Sequence, residues 1–283
     1  MAPLAYRYVL ADVFTDTPLA GNGLAVFTDA RELAEDRLQP LAREMNLSET
    51  VFVYPPEAGG HARIRIFTPG VELPFAGHPI LGTAFVLAGP LQLAEIGLET
   101  GRGLVTVRLE REGPRITFGW MEQPLPSIAP YDGDEAALLT ALGVDRSELP
   151  IEVYDNGVPH HYIALESEDA VAALTPDLGA LTRLGNRAFS CFAGSGGRWK
   201  TRMFAPYGGV PEDPATGSAA GPLACHLARH GRISFGDEIE ISQGSEIRRP
   251  STLYARAEGT AERIERVEVG GSAVIVARGE FRL

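Results

Sequence analysis

Residues 65–89, RIFTPGVELPFAGHPILGTAFVLAG, and residues 202–231, RMFAPYGGVPEDPATGSAAGPLACHLARHG, follow one plan. Each reads R-x-F-x-P, then an acid and a proline in a loop, then a glycine and a polar residue opening a helix of small and apolar residues. An ordinary surface helix would carry lysine, glutamate and a leucine stripe, whereas a helix that is apolar on nearly every face suits an element surrounded by protein. The simplest architecture that uses such a unit twice is two similar domains, each wrapping strands round one buried helix. Gly217, Ala219, Ala220 and Gly221 are small enough for strands or a ligand to approach the helix closely. With Ser218 as the N-cap, Pro222 falls within the first turn or so, where proline costs little, and Pro79 plays the same part after His78.

Outward from the repeat, strand-like alternation appears at YRYVLADVF, GLAVFTD, ETVFVYP, ARIRIFTP, LVTVRLE and RITFGW, and returns in the second half from IEVYDNG to AVIVARGEFRL. Helical patterns are fewer: LQPLAREMNL is amphipathic, and DEAALLTALG has an acidic start and a glycine stop. The class is α+β. WMEQPLPSIAP, residues 120–130, contains three prolines and separates the two strand sets, so the domains are placed at 1–122 and 123–283. The final strand, SAVIVARGEFRL, either completes the second domain or returns to the first.

The chain has 283 residues, 45% of them hydrophobic, which is enough for two domains with real cores. A formal charge of −12 argues against nucleic acid, since phosphate binding needs clustered lysine and arginine. No stretch approaches the roughly 20 apolar residues of a membrane span. The first twenty residues carry acids among the apolar ones, so no signal peptide is read. Two cysteines, Cys191 and Cys225, suit free thiols in a reducing compartment, and the location is read as cytoplasmic. The acidic balance repels an anionic substrate, so a local positive site must compensate for it.

Helix N-termini can supply that site, because their first N–H groups lack internal partners. If the two helix starts face each other across a domain cleft, His78 and Ser218 line a pocket for a carboxylate; alternatively Ser218 only caps its helix and His78 is a satisfied histidine near a turn. Asp213, in the loop before the second helix, reads as a turn residue or as a functional acid beside Thr216, Gly217 and Ser218. Glu49 reads as a solvated acid at the start of a strand or as an acid/base group. His160 and His161 are adjacent, point to opposite strand faces and make a poor metal pair. AGSGGR around Ser195 does not complete a G-x-S-x-G elbow, because position 193 is alanine.

LAREMNLSETVFV, RIFTPGVELPFAGHPILGTA and EDPATGSAAGPLACHL, with the opening ADVFTDTPLAGNGLAVF, resemble the signature blocks of the phenazine biosynthesis PhzF family. The resemblance implies a diaminopimelate epimerase-like fold of two pseudo-symmetric domains. It implies conversion of trans-2,3-dihydro-3-hydroxyanthranilate, a small carboxylate, to a ketone by proton transfer within the ring, with no metal or organic cofactor. It also implies a homodimer. By position, the family's acid/base glutamate falls on Glu49, its histidine on His78, its aspartate on Asp213 and its serine on Ser218, with Ser48, Gly77 and Gly217 beside them. Val51 and Phe52 are expected to give Glu49 an apolar wall. Gly23, Val71 and Pro211 depart from commoner residues near the blocks and leave substrate identity open. A related isomerase or epimerase acting on another cyclic or amino acid substrate, or a ligand-binding relative without chemistry, remains an alternative. A two-thiol epimerase is disfavoured, because Cys225 lies well inside its helix.

Overall fold

The computed structural model describes residues 5–283, in two compact units: the residues up to Glu122 together with Gly270–Leu283, and Gln123–Val269. Residues 1–4, the head of the stretch read for a signal peptide, lie outside the described residues.

The first unit begins with β1 (Ala5–Val13), β2 (Asn22–Phe27), α1 (Glu35–Met45), β3 (Glu49–Tyr54), β4 (Ala62–Phe67) and β5 (Glu72–Leu73). It continues with α2 (Gly77–Leu91), β6 (Glu95–Thr100), β7 (Gly103–Glu112) and β8 (Arg115–Glu122). β1 pairs antiparallel with β2, β2 parallel with β3, β3 antiparallel with β4, and β4 antiparallel with the short β5 and parallel with β6. β6, β7 and β8 then form an antiparallel meander. Both parallel pairs need crossovers, and α1 and α2 supply them. α2 is buried from Gly77 to Val86 and touches β1, β2, β3, β6, β7 and β8, which is why none of its faces is polar. A Cβ on Gly82 would sit 2.6 Å from side-chain atoms of Leu24 and Val13, so glycine lets β1 and β2 close on the helix. On the other face α1 lays Leu38, Leu41 and Ala42 against Phe27, Phe52 and Phe67.

The second unit contains β9 (Ser127–Pro130), α3 (Glu135–Leu142), β10 (Glu152–Asp155), β11 (Pro159–Ala164), α4 (Glu168–Ala172), α5 (Leu178–Arg183) and β12 (Ala188–Ser195). β13 (Arg198–Ala205), β14 (Val210–Asp213), α6 (Gly217–Arg229), β15 (Glu238–Gln243), β16 (Ser251–Gly259) and β17 (Ile264–Gly271) complete it. Its pairing repeats the first unit's step for step: β10 antiparallel to β11, β11 parallel to β12, β12 antiparallel to β13, β13 antiparallel to the short β14 and parallel to β15, β15 antiparallel to β16. α6 stands where α2 stands and is buried from Gly217 to Ala228. The repeat in sequence is therefore a repeat in topology.

The last strand, β18 (Ala273–Arg282), lies along β1 from Ala5 to Val13 and groups with the first unit, the second of the two placements the sequence leaves open for it. The proline-rich stretch 120–130 is mostly strand: β8 continues to Glu122 and β9 starts at Ser127.

Candidate active site

The two R-x-F-x-P segments share a brace. Arg65 reaches Glu72 at 2.7 Å and Glu35 at 2.6 Å, while Arg202 makes two 2.8 Å bonds to Glu212. Each guanidinium also lies over the phenylalanine two residues on, 5.2 Å from Phe67 and 5.1 Å from Phe204. The arginine and the loop acid of each repeat thus fix the chain that leads into the buried helix. Each helix then opens with glycine first and the polar residue second: Gly77 and His78 in α2, Gly217 and Ser218 in α6. The N-cap positions are Ala76 and Thr216, and neither helix has a capping side-chain bond. Ser218 is therefore not a cap. Pro222 accordingly sits in the second turn, where its missing N–H leaves the Ser218 carbonyl without a helical donor. Asn156 Nδ2 donates to that carbonyl instead, at 2.9 Å. A Cβ on Gly221 would run into Gln123 Oε1, and Gln123 in turn donates to the Gly217 carbonyl at 2.8 Å.

In the first unit, His78 meets Glu49. Glu49 opens β3, where Leu24 is its neighbour on β2, and its Oε2 lies 3.3 Å from His78 Nε2. On the other side of the ring Asn22 Nδ2, at the start of β2, lies 3.2 Å from Nδ1. An amide NH₂ can only donate, so Nδ1 accepts and the ring proton sits on Nε2, the ring atom nearest the carboxylate. Burial pushes the His78 pKa down to about 3, so the pair is a neutral imidazole and a carboxylate, not two opposite charges. Val51 shares the Glu49 face of β3. Phe52 does not: strand alternation turns it into the α1 core, so it is no wall for Glu49. Ser48 is half-buried in the turn before β3.

In the second unit, Asp213 ends β14 and is buried; its Oδ2 accepts from Thr216 Oγ1 at 2.6 Å. Gln243, at the end of β15, locks this turn by donating to the Asp213 carbonyl at 2.8 Å and to Thr216 Oγ1 at 2.9 Å, while its Oε1 accepts from the Thr216 N–H at 3.1 Å. Ser218 Oγ lies 2.9 Å from Nε2 of His160 on β11. Tyr162, two residues along the same strand face, donates to the Ala219 carbonyl at 2.6 Å.

Glu152, His226 and His230 bring potential metal ligands within 4.8 Å of one another. Glu152 Oε2 already meets Tyr154 at 2.9 Å, Arg229 at 2.9 Å, His226 at 3.2 Å and His230 at 3.1 Å. Burial works against this carboxylate's charge, but those bonds outweigh it and hold its pKa down to about 2. A guanidinium on the shared oxygen makes this a satisfied anion, not a cation site. Cys191 and Cys225 are buried, which pushes both thiols up to about 12, and neither opens a helix, so a two-thiol site is not formed by them.

The family model for phenazine biosynthesis-like proteins, PhzC-PhzF, matches residues 11–279. The chain belongs to the PhzC-PhzF family. Among family relatives it is 52% identical, over 98% of its own length and 100% of the other, to a trans-2,3-dihydro-3-hydroxyanthranilate isomerase of Pseudomonas fluorescens. The structure of a predicted epimerase from Pseudomonas aeruginosa superposes with a TM-score of 0.82 at 32% identity, covering 98% of this chain and 99% of that one. A hydroxyproline epimerase from Agrobacterium vitis shares the fold alone, with a TM-score of 0.69 at 13% identity, covering 99% of this chain and 93% of that one. The PhzC-PhzF chain thus has the diaminopimelate epimerase-like fold.

Sequence reasoning missed Asn22, His160 and Gln243. Asn22 shows in the sequence only as the middle of GNG within the family-like block 11–27, and His160 only as half of an adjacent histidine pair. Gln243 carries no local signal, because its partners are 27 and 30 residues away.

Proposed function

We propose that this chain is a trans-2,3-dihydro-3-hydroxyanthranilate isomerase in phenazine biosynthesis, moving a ring proton to give a ketone without a cofactor, with Glu49 as the acid/base group. The full-length 52% identity to the Pseudomonas fluorescens enzyme carries the reaction. The buried approach of Glu49 to the His78 ring supports the choice of base.

Abstracting a ring proton beside a diene leaves charge delocalised over the carbon framework, and the same proton can return at another carbon. One carboxylate that first accepts and then donates suffices. His78, neutral and holding its proton on Nε2, steadies the Glu49 carboxylate before transfer without competing for the proton. Asp213 and Ser218 serve the substrate's polar groups, and the open first turns at Gly77 and Gly217, with Ser48, favour its carboxylate. The resemblance supports these roles, and the burial of Asp213 and the helix-start positions of Gly77, Gly217 and Ser218 are consistent with them. Residence in the cytoplasm fits the two unpaired thiols, and a homodimer is proposed from the resemblance. No helix among the described residues is long and apolar enough to cross a membrane.

The deciding experiment mixes chelator-treated protein with trans-2,3-dihydro-3-hydroxyanthranilate and follows loss of the diene absorbance, with Glu49→Gln alongside. Conversion by the parent, with substrate binding but a turnover loss of at least about 10² in the variant, is expected. A folded parent that leaves the substrate untouched sinks the reaction, and a variant at parent rate removes Glu49 from the role.

A further inference from the structure

His160 is 1% exposed, and its Nε2 lies 2.9 Å from Ser218 Oγ. β11 turns His160 and Tyr162 to one face, and both engage the opening of α6, one at the Ser218 side chain and the other at the Ala219 carbonyl. His161, on the opposite face, is held elsewhere, by the Ala188 carbonyl at 3.1 Å and by Arg187. The strand therefore registers His160 against the helix start.

Burial pushes the His160 pKa down to about 3, so the ring is neutral near pH 7 and carries one N–H and one lone pair. Nδ1 is buried and has no hydrogen-bond partner. A bare lone pair there is tolerated better than a bare N–H, because orphaned buried donors are the rarer and costlier case. The proton therefore resides on Nε2 and is donated to Ser218 Oγ. Having accepted from the ring, the serine has its own O–H left to donate.

We propose that His160 is the positioning residue that sets the Ser218 hydroxyl as a donor toward the substrate's carboxylate. This rests on the isomerase reading above for the identity of the substrate. A bond to a charged group is worth about 1.5–3 kcal/mol, so its misalignment weakens binding about ten- to hundredfold. Since the carboxylate keeps its charge throughout the reaction, the loss falls on KM and not on kcat.

The test compares His160→Gln with His160→Asn, each also in a Ser218→Ala background. The glutamine amide reaches the position of Nε2, whereas the asparagine amide stops short of it. KM and kcat are measured on trans-2,3-dihydro-3-hydroxyanthranilate, and Kd is measured calorimetrically for anthranilate, a carboxylate that cannot isomerise. Asparagine should raise both KM and the anthranilate Kd about tenfold or more with kcat within about threefold of the parent. Glutamine should restore both, and neither change should matter once Ser218 is alanine. A folded His160→Asn protein with parent KM and Kd overturns the proposal, as does an equal loss in the Ser218→Ala background. If the parent binds anthranilate but does not convert the diene, the isomerase reading falls while the Kd series still decides His160. A parent that does neither removes both.

Discussion

Glu49 Oε2 and His78 Nε2 lie 3.3 Å apart, and a ring with its pKa held near 3 by burial brings no positive charge to that contact. A protonated histidine here would stabilise the carboxylate as an anion and weaken it as a base. The neutral ring adjoins the carboxylate without that penalty. Its tautomer depends on Asn22, whose amide meets Nδ1 from the far side of the ring.

Asn22→Asp reverses that arrangement. The carboxylate accepts only, so Nδ1 must carry the proton, and Nε2 either turns a lone pair toward Glu49 or becomes protonated. Both outcomes disturb the base, and kcat is expected to fall about 10²-fold, within the range for a positioned acid/base group. The new carboxylate also raises the His78 pKa, so the rate of the variant should gain an extra ionisation in its pH profile. Steady-state rates from pH 5 to 9 check both effects. A parent-like profile removes Asn22 from this role.

The two arginine braces have the same design and different surroundings, which sets their worth. Arg202 and Glu212 side chains are 8% and 12% exposed, while Arg65 at 22% meets Glu72 at 41% and Glu35 at 76%. Arg202 also donates to the Leu174 carbonyl at 2.6 Å. Arg202→Met leaves Glu212 buried and unpaired and should cost about 3–5 kcal/mol. Arg65→Met breaks a largely solvated network and should cost about 1 kcal/mol or less. Urea unfolding of the two variants measures the difference directly, and equal losses would show that burial does not set the scale.

The repeat, the α+β class and the two buried helices were legible in the sequence, because an all-round apolar helix is a local pattern with one physical meaning. The braces were legible as conserved spacing between the two halves of one chain, though not as ion pairs. What stayed hidden depends on distant partners. β18 pairs with β1 across almost the whole chain, and no local periodicity could say which domain it joins. Ser218 looked like an N-cap because Ser before an apolar run usually is one, yet His160, 58 residues away, claims its hydroxyl one position inside the helix. Phe52 looked like part of the Glu49 pocket because it is near in sequence, and the alternation of a strand sends it to the other face.

Acid should unfold the protein through its buried histidines. His78, His160 and His161 have folded pKa values pushed down by burial to about 3, 3 and 4, against an ordinary value of 6.5. Between those limits the unfolded chain binds protons that the folded chain refuses, so stability is full above pH 6.5 and is lost as the pH falls. Each histidine contributes a slope of about 1.4 kcal/mol per pH unit across that window. Tm should hold level from pH 7 to 8 and drop steeply from 6 to 4. His160→Gln should lessen the slope by about one histidine's share, and an unchanged slope would show that His160 charges in the folded state.

Gln243 offers the sharpest test of how Asp213 is held. Its amide accepts from the Thr216 N–H and donates to both the Asp213 carbonyl and Thr216 Oγ1, whose own proton goes to the Asp213 carboxylate. Gln243→Leu fills the space but leaves two buried donors, the Thr216 N–H and the Thr201 hydroxyl, and the buried Asp213 carbonyl without their partner, at about 1–3 kcal/mol for each group so stranded. It also frees the Thr216 hydroxyl to turn, so the carboxylate loses its fixed direction. The expected result is a lower Tm together with a kcat reduced about tenfold or more in the folded protein at low temperature, a larger fall than stability alone can produce. Thr216→Val should give a similar kcat, and the double variant should be little worse than either single one, because both remove the same constraint. Additive losses would mean that Gln243 supports the fold and leaves Asp213 as it was.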